Sequence, residues 1–358
     1  MAAAALIWAL QRRQRSAAAA RAYLKGFRYI LSDEPDAAIA EIVRAAQDAR
    51  TIEPYFALGT LFRRTGEHER AIRLHQNMLL EPELEPRLRQ QIEIELALDY
   101  QRAGTLELAV ETYQKILEAD PKQKDALGHL REIHEDRQDF AHAVEVQARL
   151  VENGDGTRPL LAHLLSEAAL CEADPELARS FAARATEIEP GSAHAALASG
   201  LVHLKQGRLE DAAKALQHAC ELEPDLSARA AESLGQAAGP EGAIAFFEAR
   251  LTAADHAATR VALAGRLRQA GRTEAALKHL RRALEIDPHY VEARVELGRA
   301  LLESSMGDDA RRELESLLGT LGQQEPGFRC KVCGHGYAEP QFRCAACRGW
   351  DTVERRAR

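Results

Sequence analysis

Aromatic residues are scarce in this chain: 5% of 358 residues are Phe, Trp or Tyr, although 46% are apolar. Ala and Leu make up most of that apolar fraction. Such a composition disfavours thick, ring-filled cores and favours many thin helices packed through small side chains. Net positive charge is also lacking. The formal charge is −8, which argues against a general nucleic-acid binder. There is no Gly-rich phosphate loop, no H-E-x-x-H and no G-x-S-x-G, so the commonest signatures of nucleotide, zinc-protease and serine-hydrolase chemistry are missing. Asp and Glu are plentiful, but they sit at charge-pair spacing with Arg and Lys along helix faces. No secretory signal with a cleavage site is present.

What the chain has is a repeat. Leu58-Gly59-x-x-Phe62-x-x-x-Gly66 with Ala71 recurs as Gly200-x-x-His203-x-x-x-Gly207 with Ala212, Ala219 and Pro224. It recurs again as Ala264-x-x-Leu267-x-x-x-Gly271 with Ala276, Ala283 and Pro288. One small residue per unit falls at Gly26, Gly59, Ala97, Ser166, Gly200, Ala231, Ala264 and Gly298, with Arg131 keeping the register but not the size. The spacing stays close to 34 residues, and helix-turn-helix units of that period resemble the tetratricopeptide repeat. The expected fold is therefore all-α, a superhelical solenoid of about nine helical hairpins over residues 19–319. Gly66, Gly104, Gly207 and Gly271 end first helices. Pro121, Pro190, Pro224 and Pro288 stop second helices. Repeats four, five and seven fit least well, Glu81 to Pro86 lengthen one turn, and Gly154-Asp155-Gly156 reads as a loose joint. Arrays of this kind bind protein segments in a groove. Groove-facing candidates are Tyr23, Phe27, Phe56, Arg63, Arg64, Arg102, Lys205 and Arg268. They read either as solvated ends of amphipathic helices or as a basic groove for an acidic partner.

Residues 1–18 form a separate stretch. Met1 to Leu10 is apolar and is followed by Arg12, Arg13 and Arg15. Ten helical residues span roughly 15 Å, half of a hydrocarbon core of about 30 Å. The stretch reads as part of a membrane anchor, as an interfacial helix, or as a cap on the first repeat. If it is an anchor, the arginines place the rest of the chain on the cytoplasmic side.

Residues 328–358 form the second exception, joined to the array by a linker, 320–327. Cys330-x-x-Cys333 and Cys344-x-x-Cys347 are separated by ten residues. Each pair aims two sulfurs at one point, and two pairs supply a tetrahedron of thiolates suited to one zinc, with iron as the alternative. Two disulfides are the competing reading, disfavoured without an oxidising compartment. Phe328 and Phe342 each precede a pair by two residues, an echo that implies two similar knuckles. His335 stands beside the first knuckle, but four cysteines already fill the coordination sphere. A closed four-thiolate site is structural, so no catalytic residue is assigned. Electron transfer through iron lacks a second redox site. A nucleic-acid-binding zinc ribbon is disfavoured because the knob's seven Arg and Lys against three Asp and Glu, a formal +4, fall to about +2 once four thiolates and one Zn²⁺ are counted, too little against an acidic remainder. Cys171 and Cys220 read as small core residues. His75, His134 and His203 read as packing residues. A knob this small cannot bury Phe328, Phe342 and Trp350 within itself. At least one should pack on a repeat helix. The linker reaches about 30 Å at most, which places the knob near Val291 to Leu318.

An apolar N-terminus, tetratricopeptide units and a terminal four-cysteine knob together resemble the lipopolysaccharide assembly protein B family. The most family-like segments are Leu58 to Leu79 and Phe342 to Trp350. The resemblance implies a rubredoxin-like metal domain and a non-enzymatic adaptor on the cytoplasmic side of the cell inner membrane. It implies protein partners, the lipid A-pathway deacetylase LpxC and the membrane protease FtsH, brought together to restrain lipopolysaccharide synthesis. The short N-terminus departs from a spanning anchor and leaves a general tetratricopeptide scaffold or cochaperone as the alternative. Self-association is left open.

Overall fold

The computed structural model describes residues 22, 25, 35–48, 53–82, 84–304, 307–308, 311–312 and 327–355. The N-terminal stretch 1–18, linker residues 320–326, and Tyr23 and Phe27 lie outside these. Among the described residues the helices come in pairs at the expected period. They are α1 (Pro35–Asp48), α2 (Glu53–Arg64), α3 (His68–Leu79), α4 (Pro86–Arg102), α5 (Leu106–Ala119), α6 (Lys124–Asp136), α7 (Phe140–Asn153) and α8 (Arg158–Cys171). They continue with α9 (Pro175–Ile188), α10 (Ala193–Lys205), α11 (Leu209–Leu222), α12 (Ser227–Ala253), α13 (Ala257–Gln269), α14 (Thr273–Ile286) and α15 (Val291–Glu303). No helix among the described residues is long and apolar enough to cross a membrane. The chain divides into two compact units, Met1–Gln138 and Asp139–Arg358. The fourth repeat of the sequence is split between them, α6 in the first and α7 in the second.

The local signals do what their chemistry requires. Gly66, Gly104, Gly207 and Gly271 adopt φ of +79°, +80°, +71° and +75° after α2, α4, α10 and α13. Only glycine enters that region without a steric penalty. Gln138 occupies the equivalent place after α6 with φ +57°. Starts are capped as well. Asp174 accepts from Glu176 N and Leu177 N at 2.8 and 3.0 Å, ahead of Pro175 in the first turn of α9. The Gly154 segment is a closed turn, not a loose joint. Asp155 N and Gly156 N both donate to Leu150 O at 2.9 Å. Repeat seven fits poorly because α12 is two helices meeting at Gly239, with Pro240 opening the second.

Helices pack closely because the repeat keeps one position small. A Cβ on Gly59 would lie 2.4 Å from the His75 ring, and one on Gly200 would lie 2.7 Å from Leu216 Cγ. Ala71, Ala109, Ala143, Ala178, Ala212, Ala243 and Ala276 are all buried on the second helices. Within each unit, ion pairs tie several neighbouring repeats together. Arg63 reaches Glu95 at 2.5 Å and Asp99 at 2.6 Å, and Asp99 also meets the buried His75 at 2.5 Å. In the second unit Arg268 reaches Glu296 at 3.3 Å and Glu303 at 2.6 Å, and Lys205 donates to Leu170 O. Arg63, Lys205 and Arg268 therefore serve as links between repeats, neither loose solvated ends nor a free basic groove. Asp99 has no exposed surface, so removing one partner strands a buried charge at a cost of about 3–5 kcal/mol. Cys220 is buried, which pushes its thiol up to about 12. Cys171 is exposed at the end of α8, which corrects its reading as a core residue: Ala168 and Ala169 of the same turn are buried, and Cys171 lies on the opposite, solvent side.

Gly200→Ala should lower stability by about 1–3 kcal/mol through overpacking against Leu216. Gln138→Gly should raise it by up to about 1 kcal/mol through relief of the left-handed backbone. Helical circular dichroism followed against denaturant reads both. Equal stability of the Gly200→Ala protein would show that the helices do not need that close approach.

Candidate metal centre and its seat

The knob is built on a three-stranded antiparallel sheet in the order β2-β1-β3, with β1 (Phe328–Cys330), β2 (Gly336–Tyr337) and β3 (Val353–Arg355). The two cysteine pairs fold as near copies. Gly334 N donates to Cys330 O at 2.9 Å, and Arg348 N donates to Cys344 O at 2.8 Å. Cys330 N and Cys344 N each donate five residues ahead, to His335 O and Gly349 O, both at 2.8 Å. The residue after each pair is left-handed, Gly334 at φ +77° and Arg348 at φ +62°. The spacing of two residues is thus converted into two matching turns with sulfurs facing each other.

The four sulfurs all lie within 4.8 Å of one another. Cys330 and Cys347 are 3.5 Å apart, and Cys333 and Cys344 are 3.6 Å apart. Metal–sulfur bonds of about 2.3 Å in a tetrahedron put neighbouring sulfurs about 3.8 Å apart, so the donor set fits one metal ion. The surroundings favour thiolates at part of the cluster. Burial opposes ionisation of Cys330, but Thr352 and the backbone N–H groups of Cys333 and Val332 outweigh it and bring that thiol down to about 6. Burial likewise opposes ionisation of Cys344, and the Cys347 N–H with the Tyr337 hydroxyl, 3.1 Å from its sulfur, outweighs it. Cys347 goes the other way. The backbone at Gly349 favours its thiolate, yet burial and the neighbouring sulfurs push it up to about 11. Four negative sulfurs cannot sit this close without a cation among them, which is the charge condition a dication meets. The His335 ring packs edge-on to Tyr337, with centroids 5.0 Å apart, and is not part of the sulfur cluster.

The knob is seated on the repeats. Phe342 stacks on His194 with centroids 4.1 Å apart and planes 10° apart. Trp350 stacks on His163 at 4.9 Å and 16°. His163 Nε2 lies 2.6 Å from Asp351 Oδ2. At the other end Arg355 pairs with Asp225 and with Asp287, the latter at 3.2 Å. Its guanidinium also covers the Phe328 ring at 4.9 Å. All three aromatics thus leave the knob for the repeats or for a residue bound to them. The knob does reach the start of the last repeat, where Arg355 lies 5.7 Å from the Tyr290 ring beside Val291, but the seat extends well beyond it. It centres on α8 and α10, with the turns at Asp225 and Asp287 as a second foothold. Linker length limits where the chain emerges, while the partners available to flat rings decide where they rest. Beside the seat lies a cleft of about 580 Å3 lined by both parts, including Ser192, Glu189, Phe342 and Val353.

Sequence reasoning did not single out His163, His194, Asp225, Asp351, Thr352 or Arg355. Asp287 belongs to the acid-proline endings of the second helices, as does Glu223 beside Asp225, and that motif was the available signal. The histidine pair gave none, since nothing in a single sequence links residues 31 apart to a knob at the other end.

Models of the tetratricopeptide repeat match residues 94–156, 165–227, 197–258 and 267–326. Lipopolysaccharide assembly protein B of Escherichia coli K12 is 25% identical over 345 residues, covering 93% of this chain and 89% of that one. The chain is a tetratricopeptide-repeat protein that resembles lipopolysaccharide assembly protein B. The Haemophilus influenzae protein of that name is 23% identical over 360 residues, with the same coverage. Among solved structures, the tetratricopeptide protein YrrB aligns at a TM-score of 0.32 and 19% identity, over 56% of this chain and 88% of that one. That likeness is too loose to carry an argument.

Elemental analysis of the purified chain should give close to one zinc or iron, and the Cys344→Ser/Cys347→Ser variant should lose it. Tyr337→Phe removes the hydroxyl donor to Cys344 and should weaken metal retention about tenfold against a chelator. Full metal content in the double-cysteine variant would overturn the site.

Proposed function

We propose that the chain is a non-enzymatic adaptor in lipopolysaccharide assembly, working at the cytoplasmic face of the inner membrane. In this reading it presents the deacetylase LpxC to the membrane protease FtsH and so restrains lipopolysaccharide synthesis. Similarity to lipopolysaccharide assembly protein B along 93% of the chain supports the process. The observation that carries the adaptor reading is the seat itself. Phe342, Trp350 and Arg355 fix the knob against two separate parts of the array, and a partner meets both together along the cleft. Cys330, Cys333, Cys344 and Cys347 would hold one zinc, in a rubredoxin-like site. Bound metal supplies cross-linking of two turns in a knob too small to hold its shape alone. With four thiolates the coordination sphere is closed, so the role is structural.

The test is affinity capture from the native host with the metal-loaded and the metal-stripped chain, read by mass spectrometry. The loaded chain should recover the protease and the deacetylase, and stripping should reduce both while helicity persists. Capture of general chaperones instead would favour a cochaperone with a metal cap. Unchanged capture after stripping would sink the composite surface.

A further inference from the structure

We propose that His163 and His194 share one extra proton between two carboxylates, and that this proton locks the knob onto the repeats. The two imidazoles form a chain. Glu167 Oε1 lies 3.2 Å from His194 Nε2. His194 Nδ1 lies 3.0 Å from His163 Nδ1, and His163 Nε2 lies 2.6 Å from Asp351 Oδ2. Each of these three contacts needs one hydrogen. Ionised carboxylates bring none, and two neutral imidazoles bring only two. With two, either a carboxylate faces a bare ring nitrogen or two ring lone pairs face each other at 3.0 Å. A third proton satisfies every contact, making one ring an imidazolium.

The surroundings decide which ring carries it. Burial disfavours the charged form of His194, whose pKa is lowered, and the Glu167 contact offsets this only in part. His194 is therefore neutral, donating from Nε2 to Glu167 and accepting at Nδ1. His163 donates from both nitrogens, to His194 and to Asp351. The stacking agrees, since the ring assigned the charge lies flat on Trp350, the aromatic that attracts a cation most. The charged groups facing the pair are Glu167 on α8, Arg229 on α12, and Asp351, Arg343 and Lys331 on the knob. Glu189 and Glu223 add negative charge around the adjoining cleft.

Asp351 is the only member of the chain that the knob supplies. When the knob lifts, His163 loses its acceptor and its stacking partner, and the reason for the third proton goes with them. The seated form therefore binds one proton more than the lifted form. Seating is favoured at lower pH and weakens as pH rises. Asp351 sets the opposite limit. Burial opposes its ionisation, but His163 holds its pKa below the usual value. Its contribution is present above about pH 4 and is lost as acid neutralises it. This inference deepens the adaptor reading, because the composite surface exists only while the knob is seated.

The experiment uses the metal-loaded full chain with 15N-labelled histidine, from about pH 5.5 to 8.5. At the acid end His163 should show both ring nitrogens protonated and His194 the Nε2–H tautomer. As His163 loses its proton, protease protection of residues 327–355 should fall in step. Asp351→Asn should move that midpoint down by at least about one pH unit, at unchanged metal content. A single neutral tautomer at His163 across the range, protection that ignores pH, or an unmoved midpoint in Asp351→Asn would each overturn the proposal. Failed partner capture beside an intact proton signature would overturn the adaptor reading and leave this one standing.

Discussion

Close approach of helices at one small residue per repeat is the constraint on which the rest depends. Gly59 makes room for the buried His75 ring, and Gly200 makes room for Leu216. With backbones this near, a core can be filled by Ala and Leu, and aromatic rings are not needed to bridge gaps. The same geometry brings charged side chains of adjacent repeats into reach. Arg63 with Glu95 and Asp99, and Arg268 with Glu296 and Glu303, are consequences of that spacing. Stability is thereby spread along the array in nearest-neighbour terms.

The scarcity of aromatic residues in the repeats gives the knob's rings their importance. Phe328, Phe342 and Trp350 cannot be enclosed by some thirty residues, and each finds a flat or cationic partner outside the knob's own centre. Histidine serves as that partner on α8 and α10 because its ring stacks while its nitrogens stay hydrogen-bonded in a buried place. A leucine there would pack but would leave Asp351 and Glu167 without donors. The metal cluster and the seat are thus two ends of one short structure. The second cysteine turn lies between Phe342 and Trp350, so holding its sulfurs also fixes the angle between the two stacked rings.

Much of this was legible in the order of residues. The 34-residue period, the left-handed glycines and the proline stops are local, and each acts through its own backbone. The cysteine pairs are local in the same way, since two intervening residues suffice to aim two sulfurs. Arg63, Lys205 and Arg268 were legible only as charges. Their partners lie 28 to 36 residues away, and the choice between solvent, groove and neighbouring repeat depends on how the helices stack.

Sequence by itself determined the helix pairs, their ends and the four-sulfur cluster, because hydrogen-bond geometry over a few residues leaves little choice there. Tertiary structure alone decided where the knob rests. His163 and Asp351 are 188 residues apart, and no local rule joins them. They meet because stacked repeats carry α8 and α10 to the place where two unburied rings and one carboxylate of the knob can all be satisfied together.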